Sequence, residues 1–145
     1  MPSLERTVLI AAPSGLVWDV VADVERWPEW TPSVRSLDLE GEALGPESRA
    51  RIGLRGSLVA TAWRVTEFVP PRSFTWESAI VPGVTAVATH VVVPAADATQ
   101  VTLGVEYRGP LAAIVGALLG ATTRRNVEDE AAGLKRVCEE RASAS

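Results

Sequence analysis

The chain reads as an α+β fold: one strand and two short helices, then six antiparallel strands, then one long closing helix. Three observations predict it. A β-branched run at residues 7–10 is followed by Val17, Val20, Val21 and Val24 at helical spacing. From Val34 to Arg108 short β-rich runs alternate with turn residues. After Gly109-Pro110 a helical pattern continues to about Arg141.

Each element has a local cause. Thr7, Val8, Leu9 and Ile10 favour a strand, which Ala11-Ala12-Pro13 stops; proline then suits the first turn of a helix, where its missing N–H would be unpaired anyway. A second short helical segment holds Trp27, Pro28 and Trp30 and ends at Thr31-Pro32. Strands are expected near 34–40, 48–55, 57–69, 72–80, 84–93 and 99–108, and the breaks are Gly41, Gly45-Pro46, Gly56, Pro70-Pro71, Pro82-Gly83 and Pro94 to Asp97. Short turns between successive strands favour an antiparallel meander.

Strand alternation assigns faces. Val59, Thr61, Trp63, Val65 and Val69 form one apolar row, with Glu67 intruding; Phe74, Trp76, Ser78 and Ile80 form another, and Val101, Leu103, Val105 and Tyr107 a third. Ala50, Ile52 and Leu54 turn inward and leave Arg49, Arg51 and Arg55 on the solvated side. Strand 84–93 is ambiguous: Ala86, Ala88 and His90 oppose Thr85, Val87 and Thr89. An inward Ala86, Ala88, His90 row would leave empty volume beside an imidazole, the first hint of a cavity.

The last helix has a phase problem. Val127, Ala131, Leu134 and Cys138 form a clean stripe, and Arg124/Glu128 and Arg125/Asp129 have supportive i, i+4 spacing. Leu111, Ile114 and Leu118 fall on the opposite side. A bend near Gly120 to Thr123 is the expected resolution, because glycine and β-branched threonine weaken a helix; a partner covering the exposed face is the alternative.

Composition excludes much chemistry. Fourteen Lys and Arg against eighteen Asp and Glu give 145 residues a formal charge of −4, with no basic cluster of the kind that meets nucleic acid. A single Cys138 and a single His90 rule out an internal disulfide, a thiolate zinc site and a multi-histidine metal centre, so neither a metal nor another cofactor is expected. No signal peptide is evident, and the most apolar run, 111–121, is shorter than the roughly 20 residues a membrane span needs. One cytoplasmic domain over residues 1–145, without stable membrane insertion, is the expectation.

Several segments together resemble a known superfamily. They are Ala11-Ala12-Pro13, the run Val17-Trp18-Asp19-Val20-Val21-Ala22-Asp23, Trp27-Pro28-Glu29-Trp30, Val65-Thr66-Glu67-Phe68, Pro70-Pro71-Arg72 leading to Phe74 and Trp76, Thr89-His90, Thr99 with Val101-Thr102, and Leu134-Lys135. In this order the chain resembles the START-like, SRPBCC superfamily, and within it the polyketide cyclase/dehydrase-type domains. The resemblance implies a helix-grip fold, a curved antiparallel sheet wrapped around the C-terminal helix and enclosing an apolar cavity. It also implies a small hydrophobic, lipid- or polyketide-like ligand, and leaves open whether any reaction occurs.

The candidate ligand-binding residues are Ile52, Trp63, Trp76, His90, Tyr107, Val115 and Leu118. Trp63 and Trp76 suit a flat ligand, with core filling the plain alternative. His90 is the one imidazole available as general acid or base, with Glu67 or Glu77 to orient it; a contact or structural role is the commoner outcome. Glu67 is inward by parity but is expected to slip to the rim near Pro70. Trp18, Trp27 and Trp30 are expected to pin the short helices to the sheet, and Cys138 to act as a small buried hydrophobe. Three functions follow: ligand binding; a cyclase or dehydratase using His90; or a non-catalytic interaction module whose Leu111/Ile114/Leu118 face meets a partner or, as a homodimer, a second copy of itself.

Overall fold

The computed structural model describes residues 3–57 and 59–144. Strand β1 (Ser3–Ile10) leads into helix α1 (Ser14–Ala22) and a short 3-10 helix (Val24–Glu29). Six strands follow: β2 (Val34–Leu39), β3 (Arg49–Leu54), β4 (Thr61–Val69), β5 (Ser73–Val81), β6 (Val84–Ala95) and β7 (Ala98–Arg108). Helix α2 (Ala112–Ala144) ends the chain. The strands form one antiparallel sheet in the order β1-β7-β6-β5-β4-β3-β2, so the first strand closes one edge against the last. The sheet curls into a half-barrel around α2, the helix-grip arrangement.

Alternation holds where the ladder is regular. On β6 the inward row is Val84, Ala86, Ala88, His90 and Val92, and the imidazole side is buried. That settles the ambiguous strand in favour of the histidine row. On β4 the parity fails midway: a register shift against β5 between Val65 and Glu67 inserts one extra residue and turns the rest of the strand over. Phe68 therefore packs toward Trp18, while Glu67 and Val69 are exposed. Val59 was expected in the same apolar row, but β4 starts at Thr61 and Val59 is 70% exposed.

Two parts of the interior differ in density. Ile10, Val17, Val21, Val24, Phe74, Val92, Val101, Leu134 and Cys138 are sealed from solvent and make a solid core under α1 and the second half of α2. Val127, Ala131, Leu134 and Cys138 are buried along one stripe, as their spacing predicts. At Gly133 the helix meets the chain closely: a Cβ there would stand 2.0 Å from the Trp30 carbonyl oxygen. Only glycine lets α2 lie this near.

The first half of α2 departs from expectation. The helix runs unbroken through 120–123, and Leu111, Ile114 and Leu118 stay on the outside at 45%, 61% and 77% exposure. Packing of the second half holds the helix in one phase, so the apolar first half cannot roll inward. Among the described residues no helix is long and apolar enough to cross a membrane.

Candidate functional site

Between the sheet and the first half of α2 lies a cavity of about 340 Å³. Its floor is aromatic. Trp27 and Trp76 approach at 5.4 Å between ring centroids, Trp63 and Trp76 at 6.2 Å, both tilted or edge-on as ring quadrupoles prefer. Trp27 is fixed by its indole N–H, which donates to the Val21 carbonyl at 3.1 Å; Trp63 donates to Thr61 Oγ1 at 2.8 Å. Aliphatic walls come from Ile52, Leu54, Ile80, Leu103 and Val105 on the sheet, and alanines 86 and 88 leave room between them.

The helix supplies the facing wall through Val115, Leu119, Thr122 and Asn126, a stripe at i, i+4, i+7 and i+11. This stripe is rotated by about one residue, roughly 100°, from the buried stripe of the second half. The same helix thus seals a core with one face and walls a cavity with the next.

His90 lies on this floor. Its ring stacks on Phe74, and its Nδ1 is 3.1 Å from the Phe74 carbonyl oxygen. A carbonyl only accepts, so Nδ1 carries the proton and Nε2 keeps a lone pair. Burial pushes its pKa down to about 4, against a smaller upward pull from that hydrogen bond. The imidazole is neutral at pH 7.

Glu130 is the acid of the site, and the sequence reading missed it. It stands one turn beyond Asn126 on α2 and accepts from the Ser33 hydroxyl at 3.2 Å. Burial raises its pKa to about 7, the Ser33 bond lowers it, and neighbouring Asp129 raises it further. Its helical position next to Val127 was the available signal; nothing in the spacing said that this part of α2 borders a void. Neither Glu67 nor Glu77 lines the cavity.

Arg55 corrects another expectation. It follows β3 in a turn, and instead of facing solvent its guanidinium donates to Asn126 Oδ1 at 2.9 Å and pairs with Asp129 at 2.8 Å. Strand parity does not govern a residue past the strand end. Tyr107 faces inward as its strand row predicts, and its hydroxyl is 2.6 Å from Thr123 Oγ1.

Of the seven ligand-binding candidates, Ile52, Trp63, Trp76, His90, Tyr107 and Val115 line the cavity. Leu118 does not; it points outward at 77% exposure, and its neighbour Leu119 takes the wall position. The unbroken helix is the reason, since the expected bend would have turned Leu118 inward. Trp27 both pins its helix and forms floor. Among the described residues no group of three or more His, Cys, Asp or Glu is placed to hold a metal.

The family described as "Polyketide cyclase / dehydrase and lipid transport" matches residues 1–139. Among solved structures the chain is similar to the Zhui aromatase/cyclase from Streptomyces sp. R1128, with 21% identity and a TM-score of 0.77 over 96% of this chain and 94% of that one. A hypothetical protein from Helicobacter pylori superposes with a TM-score of 0.80 at 12% identity, covering 94% and 87% of the two chains. The di-domain ARO/CYC StfQ from the steffimycin biosynthetic pathway gives a TM-score of 0.80 at 16% identity, covering 98% of this chain and 52% of that one. At such identities these likenesses speak for the fold. Among curated proteins none matches.

Proposed function

The chain belongs to the polyketide cyclase/dehydrase and lipid transport family, and from that membership we propose that it binds one compact, mostly hydrophobic molecule bearing a ring or fused rings. The observation that carries this is the hollow of about 340 Å³ floored by Trp27, Trp63 and Trp76. Its size is at the lower end of ligand pockets, about 300–1,000 Å³, which favours a compact ligand. Burial of apolar area supplies the affinity, and His90 Nε2, the Tyr107–Thr123 hydroxyl pair and Asn126 set orientation.

Titration of intrinsic tryptophan emission with a naphthol tests the reading. Saturable quenching is expected, and Trp76→Leu should weaken binding about tenfold, the equivalent of roughly 50 Å² of lost contact at about 25 cal/mol per Å². Emission unchanged by naphthols and by fatty acids would overturn it.

A second reading is favoured by Glu130. A carboxyl that titrates near neutrality, in the same cavity as a neutral imidazole, suits proton transfer at an activated methylene of a β-dicarbonyl ligand. Glu130, not His90, is then the base at pH 7, because an imidazole with so low a pKa is a weak acceptor. Hydrogen–deuterium exchange at the methylene of a bound β-diketone, followed by NMR, should rise through pH 7 and disappear in Glu130→Gln. Exchange that survives this substitution ends the catalytic reading and leaves binding intact.

A further inference from the structure

The cavity opens where the first half of α2 meets two turns of the sheet. Leu119 and Val81 belong both to the cavity wall and to the exposed surface, at 40% and 44% exposure. The amide of Leu111 donates to the Gly83 carbonyl at 3.3 Å, which ties the start of the helix to the β5–β6 turn. Exposed on this side are Leu111 just before the helix, Ile114 and Leu118 on it, and Val59 between β3 and β4. So many exposed aliphatics beside one opening form a patch that a freely soluble surface seldom carries.

The uncompensated charge beside the patch is positive. From Tyr107 to Val127 the chain contains no Asp or Glu; of its three arginines Arg108 pairs with Glu106, which leaves Arg124 and Arg125. The carboxylates spaced to pair with the last two are taken elsewhere: Glu128 binds Arg6 and Asp129 binds Arg55. Among the described residues Arg124 and Arg125 have no ion-pair partner, and both are exposed. Arg125 stands two turns beyond Leu118 on the same helix face, about 10 Å along the axis.

We propose that this lip seats on an anionic lipid surface, with the aliphatics in the headgroup–acyl boundary, the two arginines against lipid phosphates, and the cavity mouth facing the bilayer. Such helices lie in the interface without spanning it. The rest of the molecule is acidic, with a whole-chain charge of −4, so an anionic surface repels it and selects the arginine-bearing face. Symmetric pairing of two copies through the same face would bring their unpaired arginines together, while the nearby Glu128 and Asp129 are already engaged with Arg6 and Arg55. The proposal concerns the surface around the mouth and does not depend on which molecule fills the cavity.

Co-sedimentation with phosphatidylcholine vesicles, with and without about one-third phosphatidylglycerol, tests it. Binding is expected to be stronger to the anionic vesicles and to fall with salt. Arg124→Gln with Arg125→Gln should lower it about twenty-five-fold, at roughly fivefold per arginine near the surface. Ile114→Ser with Leu118→Ser should lower binding to both vesicle types while naphthol affinity and thermal midpoint stay as in the wild type, which separates this idea from the ligand reading. A wild type that ignores anionic vesicles, or one whose binding survives both pairs of substitutions, overturns the proposal. A solution dimer that Leu118→Ser converts to monomer overturns it in favour of a second copy.

Discussion

The imidazole of His90 lies flat on the ring of Phe74, centroids 4.1 Å apart and planes within 11°, while its Nδ1–H reaches the carbonyl oxygen of that same phenylalanine. One residue thus sets both the plane of the ring and its tautomer. Cross-strand pairing of Phe74 with His90 makes this possible, since the two Cα atoms are direct partners in the β5–β6 ladder.

Stability against pH follows from two opposed groups. His90 titrates at about 4 in the fold and at its ordinary 6.5 in the unfolded chain. The unfolded chain therefore takes up the proton first, and stability falls as pH drops from 6.5 towards 4, by a loss on the order of 3 kcal/mol. Glu130 titrates at about 7 against 4.5 and works the other way: its contribution is full below 4.5 and is lost, by a similar amount, as pH rises to 7. Urea unfolding of the wild type should be nearly flat from pH 4.5 to 6.5. Glu130→Gln should lose stability on acidification, and His90→Gln on going from pH 4.5 to 7; parallel profiles for the two variants would refute the assignment.

Gly133→Ala tests the closest approach in the fold. The new methyl would meet the Trp30 carbonyl oxygen at 2.0 Å, so either α2 or the segment after the 3-10 helix must shift. The expected cost is about 2–3 kcal/mol in chemical denaturation. Gly120→Ala is the control, because a Cβ there meets nothing within 4 Å. Equal effects at the two positions would show that helix propensity, not contact, governs.

Tyr107→Phe removes the hydroxyl that meets Thr123 Oγ1 at 2.6 Å. Loss of one partly buried hydrogen bond is expected to cost about 1 kcal/mol in thermal or urea unfolding. Under the binding reading it should also weaken hydroxylated naphthols more than unsubstituted naphthalene. The same loss for both would place the hydroxyl outside the ligand's reach.

Arg55 joins the turn after β3 to α2 through Asn126 and Asp129. Its guanidinium is partly exposed, so Arg55→Ala should lower global stability by no more than about 1 kcal/mol. Local effects should be larger: amide exchange at Gly56 and Ser57, which border the cavity, is expected to speed up. Unchanged exchange there would mean that the contact does not hold the turn.

Much of this was legible in the residues. The order of elements followed from periodicity, and the inward rows Phe74/Trp76/Ser78 and Val101/Leu103/Tyr107 from simple alternation, because a regular ladder leaves side chains only two directions. What went astray did so where regularity stops. The Val65/Glu67 bulge turned over the end of β4, Arg55 escaped parity beyond the end of β3, and Glu128 and Asp129 left their helical neighbours for Arg6 and Arg55.

The sequence by itself determined the order of elements and put aromatic rings on the inner face of the sheet, since hydrophobic period and turn residues are local properties; the helix-grip arrangement came from the family resemblance, and the facing of His90 from the structure. Only the tertiary structure decided that α2 runs straight. That one fact sends Leu118 outward and Leu119 inward, and brings Asn126 and Glu130 beside Trp27 and His90. Where a helix crosses a sheet, and in what phase, is fixed by packing between residues more than a hundred positions apart, such as Gly133 against Trp30. No short window of sequence contains that information.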